Sequence, residues 1–337
     1  MTARPGDDAD DPNDELVIRP STDPDRSAII ELCRASLGWR DGDPNEAFFA
    51  WKHDDNAFGP SPSWVAQTRD GQLVGLRVFL RWRFRRPDGT TFDAVRAVDT
   101  ATHPDWQGKG IFTRLTTGAL PDLEADGVAN VFNTPNDKSR PGYLKMGWVA
   151  LGRAPVAVRL RSPLAARRMV LARTGAEKWS ELTHVGLDAA SVFADRDLTD
   201  RLLSAAAPAV GIATDVTSAF LRWRYSFEPL RYRVVPLSDR IEDGVVVFRV
   251  RRRGDATEAT ICDVIAPDGA RPSTAIGWIL RSTGADFALV APRAAAGRTG
   301  AIPMNRLGPV LTWRSLADPV VPSLGDLELV LGDVELF

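Results

Sequence analysis

Residues 76–85 alternate without a break, with Leu76, Val78, Leu80, Trp82 and Phe84 at even positions and Arg77, Phe79, Arg81, Arg83 and Arg85 at odd ones. A period of two marks a β-strand, because successive side chains leave opposite faces of the pleat. The pattern predicts a strand with one apolar, core-facing side and one basic side. Asp70-Gly71 ahead of it and Pro87-Asp88-Gly89 behind it are turn signals, and further strand-like stretches, 64–68 and 92–102, flank them. Together these stretches read as an antiparallel meander.

Helical spacing brackets the meander. Ile29, Ile30, Leu32, Cys33 and Leu37 recur at helical intervals over 26–37, behind a capping stretch Ser21-Thr22-Asp23-Pro24. Ile111, Phe112, Leu115, Ala119 and Leu123 line one side of 111–125, a helix that Pro121 should kink and Gly127 should end. A further strand is expected at 128–132. A strand-loop-helix-strand unit of this length implies a parallel crossover, so the fold class is α/β in its mixed-sheet, α+β form.

The second half of the chain repeats motifs of the first in the same order. Ala47-Phe48-Phe49-Ala50-Trp51-Lys52 resembles Ala219-Phe220-Leu221-Arg222-Trp223-Arg224, and Asp70-Gly71 has a counterpart in Asp243-Gly244. The arginine-striped strand has one in 248–253, Thr102-His103-Pro104-Asp105 in Ile265-Ala266-Pro267-Asp268, and Lys145-Met146-Gly147-Trp148 in Arg306-Leu307-Gly308-Pro309. This is the mark of a duplicated unit. The expected organisation is an acidic, disordered arm at 1–15, a first domain at 16–155, and connecting helices with a second, related domain at 156–337.

Composition narrows the function. A formal net charge of -2 over 337 residues gives no basic field for nucleic acid. Cys33 and Cys262 stand alone, and His53, His103 and His184 form no paired motif, so neither a disulfide framework nor a metal site is expected. The chain shows no leader-like apolar region and no run of membrane-spanning length, which predicts a cytoplasmic protein without a membrane partner.

The chemistry concentrates at Gln107-Gly108-Lys109-Gly110, between strand 92–102 and helix 111–125. A diphosphate needs converging backbone N–H donors and a favourable dipole, and a helix N-terminus after a tight glycine turn supplies both. The loop is neither a GxGxxG fingerprint nor a Walker loop, since no Gly-Lys-Ser/Thr follows. Taken alone, it is equally readable as a plain connection.

A second element decides between these. Gln107, Gly108, Lys109, Gly110 and Ile111 fit the pyrophosphate motif [QR]-x-x-G-x-[GA] of the GNAT (Gcn5-related N-acetyltransferase) superfamily, with Phe112 where that family has Gly or Ala. Asn136, Ser139, Tyr143, Gly147 and Trp148 then resemble the family's N-x-x-A-x-x-x-Y-x-x-x-G-F signature at every interval. The resemblance covers residues 16–155 and implies a GNAT fold in two GNAT-like halves, with acetyl-CoA as co-substrate and no metal. It further implies that the strand at Thr100 and Thr102 pairs with the pantetheine arm, that the 107–112 loop holds the pyrophosphate, and that Asn136 and Ser139 flank the CoA chain.

The activity implied is N-acetyl transfer to a primary amine of a small molecule or an amino sugar, by direct attack without a covalent enzyme intermediate. Tyr143 is implied as the general acid, a phenol whose ordinary pKa of about 10 lies close to that of a thiol; its alternative is a core tyrosine with a wet hydroxyl. Asp99 is a candidate base, directly or through water, or else a residue satisfying the sheet end. The Arg77, Arg81, Arg83 and Arg85 face reads as solvated or as a seat for an anionic acceptor. Trp39, Phe48, Phe49 and Trp51 read as core with one or two rings available to an acceptor. At 269–274 the second half lacks the glycine pair, which implies a degenerate partner domain and one active site in a monomer or homodimer. Two other functions fit less of this pattern: a FemABX-like transferase using aminoacyl-tRNA, and a non-catalytic acyl-CoA sensor.

Overall fold

The alternating stretch forms the long inner strand of the first of two sheets. The structure is a computed structural model that describes residues 16–172, 174–291, 296–304 and 306–334. The arm expected at 1–15 lies outside the described residues. The strands in chain order are β1 (Leu16–Pro20), β2 (Ser63–Thr68), β3 (Leu73–Arg85), β4 (Thr91–Thr102), β5 (Asn130–Asn133), β6 (Val149–Arg153), β7 (Ala157–Leu160) and β8 (Leu187–Asp188), followed by β9 (Ala213–Thr214), β10 (Arg233–Pro236), β11 (Val245–Arg253), β12 (Ala256–Ile265), β13 (Phe287–Val290), β14 (Ile302–Pro303) and β15 (Val310–Ser315). The first sheet runs β1-β2-β3-β4-β5-β15-β6, with β9 on β3, and the second runs β14-β7-β13-β12-β11-β10-β8.

β2, β3 and β4 are the expected meander, with Asp70-Gly71 closing the first turn. β4 and β5 pair in parallel across helices α3 (Ile111–Gly118) and α4 (Leu120–Ala125). The helix expected over 111–125 thus divides at Ala119, just ahead of Pro121, which has no N–H to give to the turn behind it.

The two faces of β3 depart from the sequence reading. Leu76, Val78, Leu80, Trp82 and Phe84 join a core that reaches into the second half, with Phe220, Trp223 and Leu230. The odd face is not a solvated basic surface. Phe79 packs with Ile111, Leu115 and Leu123 in a second core, because the crossover lays α3 and α4 over it. Arg77 is fully buried there. Arg81, Arg83 and Arg85 lie nearer the rim and pair with Asp126, Asp93 and Asp215.

Each sheet receives an inserted strand. β15, from the end of the second half, inserts between β5 and β6, while β7, which directly follows the first domain's expected boundary at 155, inserts between β13 and β14. The second sheet repeats the element order of the first: β2, β3, β4, α3 and β5 are followed in the same order by β10, β11, β12, helix Ser273–Thr283 and β13. Of the five sequence correspondences, the last is out of structural register. Lys145–Trp148 leads into the edge strand β6, whereas Arg306–Pro309 leads into the inserted strand β15.

The first correspondence marks the junction. Trp51 lies in a π-helical turn (Ala50–Asp54) after helix α2 (Asn45–Phe49), and Trp223 in helix Ser218–Arg224. Trp51 Nε1 donates to Trp223 O at 2.8 Å, and Trp223 Nε1 donates to Trp51 O at 2.6 Å. Their rings stack at 5.7 Å. Trp223→Phe keeps most of the ring but leaves the buried Trp51 carbonyl without that donor, and should cost about 1–3 kcal/mol. Urea denaturation of both single variants and the double variant should show coupling of about 0.5–3 kcal/mol between the two positions, whereas strict additivity would deny the pair.

Candidate active site

The parallel pairing of β4 with β5 ends after Ala94↔Asn130, Val95↔Val131 and Arg96↔Phe132. From residue 97 to 102, β4 pairs with β3 alone, so the strands open into a cleft whose wall is an unpaired strand edge. Thr100 and Thr102 lie along this edge. The Thr102 carbonyl accepts from Ser36 Oγ at 2.9 Å and from Gln107 Nε2 at 3.4 Å.

At the mouth of the cleft the chain makes a 3-10 turn (Pro104–Trp106), passes through Gln107, Gly108, Lys109 and Gly110, and enters α3 at Ile111. Gly108 and Gly110 have φ of 78° and 73°, the left-handed region that L side chains avoid. A Cβ at either would meet no atom within 4 Å, so the surface in front of the loop is open. Ile111 is buried beneath β3, and the Lys109 ammonium lies 4.2 Å from the Trp106 ring. Phe112, the departure from the family motif, packs edge-on against Tyr143 at 5.2 Å. It fits because residue 142 is glycine: a Cβ there would meet the Phe112 ring at 3.0 Å.

The second sequence element forms a tight turn and helix α5 (Arg140–Lys145). Asn136 Oδ1 accepts from the N–H groups of Lys138 and Ser139 at 3.0 and 2.9 Å and from Ser139 Oγ at 3.1 Å. These bonds tie the turn that aims α5. Tyr143, 4% exposed, leans on Trp148 and turns its hydroxyl toward β3 and β4. There Arg77 Nη2 donates to Tyr143 Oη at 2.5 Å, while Arg77 Nη1 donates to Thr100 Oγ1. Thr100 and Tyr143 thus meet at one guanidinium. The sequence carried one overlooked sign of this, Phe79, an apolar residue on the supposedly solvated face of the same strand.

Asp99 sits at an irregularity in the β3–β4 pairing, with φ of 42°, and its Oδ2 accepts from Lys52 Nζ and His53 Nε2, both at 2.7 Å. Lys52 and His53 come from the π-helical turn, a feature that often accompanies functional sites. Burial alone would raise the Asp99 pKa, but the Lys52 charge and the His53 hydrogen bond outweigh it and hold the carboxyl well below the usual carboxylate range. Burial pushes the His53 pKa down, against the pull of Asp99, so the ring is neutral near pH 7. Its Nδ1 is buried with no hydrogen-bond partner among the described residues. Nothing in the sequence pattern singled out Lys52 or His53.

Beyond this cluster lie the aromatic residues. Trp39, Phe48 and Trp51 form one group with Trp179 and Phe227 of the second half, while Phe49 turns away to stack on His53. The Lys178 ammonium stands 3.8 Å from the Phe48 ring, 4.4 Å from Trp39 and 4.5 Å from Trp179. In the second half, the place of the glycine loop is taken by a turn whose Asp268 carboxylate accepts from Gly269 N–H and pairs with Arg298.

Asp99→Asn would strand a buried Lys52 ammonium and should cost about 3–5 kcal/mol in denaturant titrations at pH 7. The acid dependence follows from the two shifts. His53 stays neutral in the fold, so below about pH 6.5 the unfolded chain binds a proton that the folded chain refuses, and stability falls. The Asp99 contribution is present above about pH 3.9 and fades below it, as the unfolded carboxyl protonates first. His53→Asn should flatten the upper part of this acid decline and Asp99→Asn the lower part. Identical pH profiles in all three proteins would refute the assignment.

Residues 17–150 match the family model described as an acetyltransferase (GNAT) domain. No curated protein sequence matches the chain. Among solved structures, a conserved protein of unknown function from Enterococcus faecalis V583, described as a probable N-acyltransferase, superposes with a TM-score of 0.63 at 13% identity, over 89% of this chain and 72% of that one. GCN5-related N-acetyltransferases from Kribbella flavida and Anabaena variabilis ATCC 29413 follow, with TM-scores of 0.59 and 0.58 at 14% and 11% identity, over 90% and 89% of this chain and 72% and 73% of theirs. At such identities the superpositions establish the fold, and the family match adds the chemistry. Residues 17–150 are thus a GNAT acetyltransferase domain, which makes the protein an acyltransferase.

Proposed function

We propose that the chain transfers an acetyl group from acetyl-CoA to a primary amine of a small molecule or an amino sugar, by direct attack of the amine on the thioester. The observation that carries this reading is the delivery of the Tyr143 hydroxyl to Thr100, on the open edge of β4, in the cleft whose mouth is the Gly108–Gly110 turn. The residues suit the co-substrate. The open faces of Gly108 and Gly110 leave the backbone N–H groups at the start of α3 accessible to a pyrophosphate, with Gln107, Lys109, Ile111 and Phe112 shaping the loop. The edge at Thr100 and Thr102 offers strand-like hydrogen bonds to a pantetheine amide, and Asn136 and Ser139 stand on the turn beside it. When bound, the thioester supplies an activated carbonyl.

The protein must then hold the two reactants together, polarise that carbonyl and manage two protons. A backbone N–H near Thr100 donates to the carbonyl oxygen, and Tyr143 protonates the departing sulfur. Asp99 is too firmly paired to take the amine proton itself. Its part in this reading is to accept from His53 Nε2, which leaves Nδ1 as the unprotonated, proton-accepting nitrogen.

Tyr143→Phe should bind acetyl-CoA as tightly as the parent in calorimetry while releasing free thiol about 10²–10⁴-fold more slowly across a panel of amines. A variant with unaltered turnover would refute Tyr143 as the acid. Failure of the parent protein to bind acetyl-CoA would refute the co-substrate and favour the aminoacyl-tRNA reading.

A further inference from the structure

Arg77 is fully buried, yet no carboxylate pairs with it among the described residues. Its guanidinium donates to Tyr143 Oη at 2.5 Å and to Thr100 Oγ1, and lies 5.0, 5.7 and 5.3 Å from the rings of Phe79, Phe112 and Tyr143. Its Nε has no hydrogen-bond partner. Holding a cation in such a place costs free energy that two neutral hydroxyls and three ring faces offset only in part. A methionine would fill the same space without that cost. Two other buried cations are matched by carboxylates: Lys52 by Asp99, and Arg251 by Glu258. Arg77, beneath the tyrosine at the open edge of β4, has no such partner among the described residues.

We propose that Arg77 is a positioning residue for acyl transfer, acting through Tyr143. This rests on the reading of Tyr143 as the general acid. A guanidinium can only donate, so by occupying a lone pair of Oη it turns the phenol's own hydrogen away from itself. Thr100, held by the same guanidinium, is fixed on the opposite side. As the C–N bond forms and the C–S bond breaks, Tyr143 passes its hydroxyl proton to the departing sulfur. The phenolate so formed faces a cation already in place, with no counter-ion to compete for it and no water to reorganise. The proton shed by the amine passes to His53 and, once the products leave and solvent re-enters, restores the phenol, so no proton is left over. Before this step Arg77 is an uncompensated charge; after proton transfer it is a matched one.

The test compares Arg77→Met, Arg77→Lys, Tyr143→Phe and Arg77→Met/Tyr143→Phe in the full chain, by denaturation midpoint, acetyl-CoA calorimetry and steady-state kinetics. Arg77→Met should keep or raise the midpoint and leave acetyl-CoA affinity within about twofold, while kcat falls on the order of 10²-fold. Arg77→Lys, which keeps a donating charge without the fork, should recover part of kcat. In the Tyr143→Phe background, Arg77→Met should cost little further, because the group it acts through is gone. A lowered midpoint with kcat preserved would make Arg77 a structural residue and overturn the proposal. So would a full, additive loss in the double variant. If Tyr143→Phe alone turns over at the parent rate, the general-acid reading itself has failed and takes this one with it.

Discussion

Strand β3 carries apolar side chains on both faces along much of its length, and neither face can be left in water. Its even side holds Leu76, Val78, Leu80, Trp82 and Phe84, and nothing in the first half covers them fully; the second half supplies Phe220, Trp223 and Leu230. Its odd side at Phe79 is covered by α3 and α4, and covering it requires the chain to cross over and return in parallel at β5. Burial of this strand therefore sets both larger features of the molecule, the joining of the halves and the crossover that creates the cleft. At about 25 cal/mol per Å² of apolar surface, a few such aromatic side chains outweigh any surface ion pair in the protein.

The joining is more than a contact between finished domains. β15, from the end of the second half, sits inside the first sheet between β5 and β6, so that sheet is not whole without a strand from the other half. The reciprocal bonds of Trp51 and Trp223 sit where the repeated segments meet, each indole satisfying the carbonyl of its counterpart. The segment carrying Trp51 also carries Lys52 and His53 to Asp99. Packing between the halves thereby reaches the edge of the cleft through one short turn.

The site collects two buried cations near one strand. Lys52 meets a carboxylate and is neutralised; Arg77 meets only hydroxyls and rings. Both lie near the irregular pairing of β4 with β3, where Asp99 and Thr100 occupy neighbouring positions on a strand that no longer pairs with β5. That one short stretch of β4 presents a paired carboxylate and a hydroxyl tied to the tyrosine follows from the bulge at Asp99, whose φ of 42° breaks the regular alternation and turns its carboxylate toward Lys52 and His53 while Thr100 faces Arg77.

The glycine loop, the spaced Asn136–Trp148 element, the meander and the kink at Pro121 were all legible in the chain, because each depends on local chemistry: periodicity, turn residues, and the φ that only glycine adopts freely. So was the order of elements that the two sheets share, apart from the Gly308 correspondence, since the insertion of β15 into the first sheet leaves no mark in local sequence. The alternation of 76–85 told which residues share a face but not what covers it, and so Arg77 read as a solvated residue. Asp99 lies far in the chain from Lys52 and His53, and only the packing of the π-helical turn against β4 makes them one cluster. The sequence by itself determined the elements and the glycine loop, through backbone preferences acting over a few residues. The tertiary structure alone decided which charges are buried, and against what, because burial depends on partners contributed from distant parts of the chain.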